Sequence, residues 1–198
     1  MPLAAYAVPI RQASYMNVEE LIAKWDIQRK KDEEQFQSLF PESDDIVAIV
    51  LRGHLMVEEY IDRLNRHCFH YSKFYDQAKL PFSKKLLIAQ AQILVPHDNP
   101  NSFFDCHKKL NELRNNLAHN LESPKLPNKI TEFLDLVEIN YLDRITENDD
   151  FRNESLEKRL RMAISYLLGQ LSVMDNVVEF MEKSRHYGSG EQKNPADS

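Results

Sequence analysis

The stretch LNELRNNLAHN, residues 110–120, crowds Arg114, Asn115, Asn116 and His119 among three leucines. An arginine presents a planar fork of donors that can hold an oxyanion bidentately and stabilise charge developing on it. A histidine, with an ordinary pKa of about 6.5, can carry a proton in either direction near neutral pH. Asparagine is a mediocre helix former, because its side chain competes for backbone hydrogen bonds. Two in succession, late in a helix, mark either an approaching cap or a site.

These groups need a helix to position them. Wound at about 100° per residue, Phe103, Cys106, Leu110, Leu113 and Leu117 fall on one narrow stripe that turns to a core. Arg114 lies on the shoulder of the stripe, while Asn115 and His119, an i,i+4 pair, stack on the far side. Arg114 and His119 then point about 140° apart. Either the helix end bends or another surface completes the pair, and the two-fold axis of a homodimer would supply one. Lys108 adds a little positive charge on the broad face of Asn115, and Asn116 is the remaining polar neighbour. On a separate helix, His54 and Glu58 form another i,i+4 pair beside an apolar stripe. They read as a supporting shell for the site or as a semi-buried pair that holds two helices together. Without further information Arg114, Asn115 and His119 also read as a polar last turn, with His119 against the helix dipole and Asn120 as a cap.

The composition narrows what such a site can serve. The chain has 198 residues, room for one domain with a core and short appendages. Only four glycines, with abundant Leu, Glu, Lys and Gln, indicate an all-α protein. A formal net charge of −6 argues against a protein held on nucleic acid by a broad basic field, though it leaves room for a local phosphate site. Cys68 and Cys106 suit a reducing, cytoplasmic setting better than a disulfide framework. The first residues lack the basic start of a signal peptide, and no apolar run approaches the roughly 20 residues that cross a bilayer. There is no Gly-rich phosphate loop, no GxSxG elbow and no CxxC pair. His67, Cys68 and His70 lack a matching second ligand pair, so no metal and no cofactor is expected, and they read as packing at a helix end.

Residues 1–16 read as an irregular arm and 187–198 as a disordered tail, with a single helical domain over 17–186. The pattern predicts helices over 17–39, 43–69, from Pro81 to before Pro96, 102–120, 128–141 and 154–184, with 70–80 as a connector. On the second of these, Ile46, Val50, Gly53, Val57, Ile61, Leu64 and Cys68 share one stripe. On the last, Leu156, Leu160, Ile164, Leu167, Leu171, Met174, Val178 and Met181 recur at spacings of 3 and 4. The expected architecture is an antiparallel bundle of five to six helices.

LNELRNNLAHN also resembles the signature of the HEPN superfamily of helical domains. That signature is an arginine, four to six residues and a histidine, often with a polar residue directly after the arginine. Arg114, Asn115 and His119 occupy these positions, the leucines before Arg114 match many prokaryotic members, and the FSKKLLIAQAQIL helix resembles the preceding element of one prokaryotic branch. The resemblance implies a HEPN-like bundle that dimerises to place two motifs in a shared cleft. It also implies a metal-independent endoribonuclease of the toxin–antitoxin or phage-defence kind, with RNA and an antitoxin or regulatory protein as partners. In such an enzyme the RNA 2′-OH attacks the adjacent phosphorus, His119 moves the proton, Arg114 clamps the phosphate, and Asn115 orients His119 or touches the phosphate. Other members have lost activity and only bind a nucleotide, RNA or a protein. Toxins silenced by a nucleotidyltransferase commonly carry a tyrosine two residues after the histidine, where this chain has Leu121.

Overall fold

The computed structural model describes residues 45–92, 100–119, 125–145 and 151–188, together with isolated positions 27, 30, 34 and 38. The described residues form six α-helices and one short 3₁₀ turn, with no strand. In chain order the helices are α1 (Ile46–Cys68), α2 (Ser72–Gln77), α3 (Phe82–Gln92), α4 (Pro100–His119), α5 (Leu126–Ile145) and α6 (Leu156–Gly188). The helix expected over 17–39 lies outside the described residues except at Ile27, Lys30, Glu34 and Ser38, which are helical. The arm at 1–16 lies outside them altogether. None of the described helices is long and apolar enough to cross a membrane.

Local signals explain most of the boundaries. The Asp45 side chain accepts from the Val47 N–H at 2.9 Å and satisfies one of the free donors at the start of α1. Pro81 opens α3, its carbonyl accepting from the Lys84 and Lys85 N–H groups. Pro100 begins α4 and Pro127 sits in the first turn of α5, where a missing N–H costs nothing. Pro127 therefore lies inside the helix, and α5 runs from Leu126 to Ile145, beyond the expected 128–141 at both ends. Residues 70–80 are more than a connector, since α2 forms over Ser72–Gln77. The last helix continues to Gly188, past the boundary expected for the tail.

The bundle is organised around α1. It packs most extensively along α6 and also meets α2, α3 and α4, while α5 bridges α4 and α6. The stripe expected on α1 is inside: Val50, Gly53, Val57, Ile61 and Leu64 are buried, with Ile46 and Cys68 packed at its ends. On α4, Phe103, Cys106, Leu110, Leu113 and Leu117 are all buried, so the register read from the leucines holds. Leu160, Ile164, Leu167, Leu171 and Met174 supply the α6 face. Packing of this kind fixes the rotation of α4 about its axis, and hence where Arg114 points.

Candidate functional site

The α1–α4 contact carries the polar groups of interest. His54 is only 2 % exposed, and its Nε2–H donates to Asn111 Oδ1 at 3.0 Å. In the neutral ring this leaves Nδ1 with the lone pair. That atom is buried with no hydrogen-bond partner, and Glu58 Oε2 stands 4.0 Å away. Phe82 of α3 leans on the imidazole with ring centroids 4.6 Å apart. Burial pushes the His54 pKa below the ordinary histidine value, Glu58 and the Asn111 bond oppose this, and the positive charges of Arg114 and Lys85 add to the fall. The ring is therefore mainly neutral at pH 7.

Arg114 is half-buried next to this histidine. Its Nη1 donates to Asn115 Oδ1 at 3.0 Å, and among the described residues no carboxylate pairs with it. A guanidinium flanked by an amide and a neutral imidazole keeps its positive charge available to an incoming anion.

The sequence candidates divide accordingly. Arg114, Asn115 and His54 come together at one place. Glu58 sits beside them but is committed to Lys85, whose Nζ donates to Glu58 Oε1 at 2.8 Å. Asn116 turns back along its own helix and donates to the Glu112 carbonyl. Lys108 is exposed and paired with Asp105 at 2.9 Å, away from the cluster. The backbone of α4 is helical through His119, its last residue, five positions beyond Arg114; the His119 side chain lies outside the described portion. A regular helix places those two positions about 140° apart around the axis.

Two residues escape the sequence reasoning. Asn111 holds His54, and its signal is present in the chain: it stands three before Arg114 and four before Asn115, on one broad helical face. His107, one turn earlier, is fully buried; its Nδ1–H donates to the Phe103 carbonyl at 2.7 Å, and its Nε2 is buried without a partner. Burial drives its pKa down to about 4. No sequence signal separates it from an exposed histidine on the same helix.

Metal binding has no constellation to support it in this part of the chain: among the described residues no group of three His, Cys, Asp or Glu side chains could hold an ion. His67 and His70, on either side of Cys68 in the sequence, face different partners, Asp175 at 3.6 Å and the Tyr71 ring at 4.6 Å. Burial raises the Cys106 thiol to about 12, so it behaves as a small apolar residue. Set against known proteins, the chain matches no protein-family model, no curated protein and no solved structure, and what the Arg114 cluster can do is read from its own groups.

Proposed function

We propose that this chain is a HEPN-type, metal-independent endoribonuclease acting in a toxin–antitoxin or phage-defence setting. Arg114 clamps the scissile phosphate and His119 takes the proton of the attacking 2′-OH; as the 2′-oxygen bonds to phosphorus the P–O5′ bond breaks, and the proton goes to the leaving 5′-oxygen. The observation that carries the reading is the state of Arg114: a half-buried guanidinium with the Asn115 amide and the nearby neutral His54 imidazole, and no carboxylate partner among the described residues. Buried cations are normally paired. An unpaired one suits a transient anion such as a phosphate.

His54, held by Asn111, lies close enough to Arg114 to feel its charge, and Asn115 steadies the guanidinium. The unbroken helix between Arg114 and His119 favours completion of the site by a second copy, so the active form is a homodimer. An antitoxin or other regulatory protein would then cover the shared cleft. Both cysteines are free, which suits the reducing cytoplasm.

The test is an end-labelled single-stranded RNA incubated with purified protein, with and without EDTA, beside Arg114→Lys and His119→Ala. The expected result is cleavage that survives EDTA, leaves a 2′,3′-cyclic phosphate, spares DNA and is largely lost in both variants. Light scattering should give a dimer at micromolar concentration. Loss of cleavage in EDTA, or full activity in His119→Ala, removes the mechanism. A second reading, a HEPN-like module that binds a nucleotide, RNA or a protein without cutting, is favoured by the acidic net charge of −6. Binding that depends on Arg114 with no cleavage of any RNA would select it.

A further inference from the structure

The acidic average hides a local reversal. Residues 66–85 (RHCFHYSKFYDQAKLPFSKK) hold five lysine and arginine side chains against the single carboxylate of Asp76, in a chain whose overall charge is −6. These residues are the end of α1, all of α2 and the start of α3, drawn into one corner by the Arg66–Asp76 pair and by Asn65, which donates to the Lys85 carbonyl. Arg66 is matched with Asp76 at 2.9 Å, and Lys85 is drawn inward by Glu58 and Asp62. Lys73, Lys79 and Lys84 are exposed, and no carboxylate pairs with them among the described residues.

The same corner displays two large aromatic side chains. Tyr71 is 63 % exposed and Phe74 is 58 % exposed, in a bundle that buries Phe82, Phe103, Phe104, Phe133 and Phe151. Their ring centroids lie 6.2 Å apart at 73°, His70 stands edge-on to Tyr71, and Lys73 Nζ sits 5.1 Å over the Phe74 ring. The platform is held firmly from beneath. Tyr75, on the buried side of α2, donates its hydroxyl to Asp62 at 2.6 Å and accepts from Asn65 at 2.9 Å.

We infer that this corner is a contact surface for single-stranded RNA, in which bases stack on Tyr71 and Phe74 while Lys73, Lys79 and Lys84 follow the phosphates. Flat exposed rings interleaved with unpaired cations are what a single strand needs, because its bases are free to stack and its backbone is anionic. A membrane surface would demand a broader apolar face than two rings provide. The ring-bearing end of the corner docks on α1 between Asp62 and Arg66, roughly 12–18 Å from His54 by helix rise, while its α3 end reaches His54 through Phe82. Tyr71 and Phe74 thus stand apart from the Arg114 cluster and would hold an RNA strand whose cleavage, if the proposed function is right, occurs there. The assignment extends that function by adding a second contact surface that holds the strand away from the reacting phosphate.

The experiment is fluorescence anisotropy with a labelled single-stranded RNA of about twelve nucleotides, within the usual site sizes, and full-length protein. The Tyr71→Ser/Phe74→Ser double variant should weaken binding by at least about tenfold, and Tyr71→Phe, which keeps the ring, should bind as wild type does. Lys73→Ala/Lys79→Ala should lower the salt slope by about 1.4, the share of two phosphate contacts on a single strand. Circular dichroism of each variant verifies the fold. Unchanged affinity in the double ring variant overturns the assignment, as does wild type that ignores RNA, or that prefers vesicles of anionic lipid. The two proposals fail separately. If Arg114→Lys abolishes binding and the ring variants do not, the corner is excluded and the Arg114 site remains; if the ring variants lose binding and no RNA is cut, the corner stands without the nuclease.

Discussion

Two cations face α1 in opposite circumstances. Lys85 is clamped between Glu58 and Asp62 at 2.8 Å each, and Asp62 in turn accepts from Tyr75, which is bonded to Asn65. Burial alone would weaken the Lys85 charge, but the two carboxylates overcome it and its pKa is raised. Burial, aided by its bond to Asp62, likewise pushes the Tyr75 hydroxyl up, so it stays a donor. Every charged member has a partner, and the network ties α1 to α2 and α3. Arg114, on the neighbouring helix, has an amide and a neutral histidine instead. The difference distinguishes polar groups that hold a fold together from polar groups held ready by it. A paired charge contributes to stability and to little else; an unmatched one is affordable only if the rest of the molecule positions it.

The comparison can be broken most directly at Lys85. Lys85→Met leaves Glu58 and Asp62 facing each other and should cost about 3–5 kcal/mol in urea unfolding, with no specific effect on cleavage once the protein is folded. A cost near zero would mean that the network is ornamental. Acid should expose the buried imidazoles next. Below about pH 6.5 the unfolded chain protonates His107, whereas the folded chain resists until about pH 4, so stability falls as pH drops through that window. The loss approaches roughly 3 kcal/mol, His54 adds to it in the same direction, and His107→Gln should flatten the curve when denaturation is followed from neutral to acid pH. On the other side of the comparison, Arg114→Lys keeps the charge but loses the planar fork. The proposed RNA cleavage should fall on the order of 100-fold while stability changes by less than about 1 kcal/mol. A large stability loss there would make Arg114 another structural cation. The smallest effect belongs to neither cluster: a Cβ at Gly169 in α6 meets nothing within 4 Å, so Gly169→Ala should stabilise by about 0.5–1 kcal/mol in the same unfolding assay.

What could be read from the chain follows the physics of each signal. The stripes on α1, α4 and α6 were legible because apolar spacing at 3 and 4 has one good solution, and every expected residue of the α4 stripe is buried. Helix α2 was not legible: six residues give too little periodicity, and it is secured by tertiary bonds from Tyr75 and Asp76 to Asp62 and Arg66. The first turn of α5 fell outside the expected 128–141 because a proline ends some helices and begins others, and sequence order alone does not say which Pro127 does. At the site, Arg114 and Asn115 stood out by type and spacing, and His54 only as half of an i,i+4 pair. That His54 meets Asn111 depends on how α1 crosses α4, which no local pattern encodes. Lys108 and Asn116 shared the right stretch, yet a nearby carboxylate and a backbone carbonyl claim them first.

The pairing of α1 with α6 has a consequence for how the protein is made. Arg63 of α1 binds Asp175 of α6 across 112 residues of chain, with His67 beside it, and Asp175 is otherwise buried. At ordinary elongation rates that separation corresponds to on the order of 5–20 s of synthesis. Over that interval the Val50, Val57, Ile61 and Leu64 stripe is made, and in its later part emerges, before its main partner is complete. The nascent chain must shelter this face with α3 and α4 or with a chaperone. A ribosome stalled before α6 should therefore present a chaperone-binding, protease-sensitive intermediate, and release of α6 should convert it in a single cooperative step.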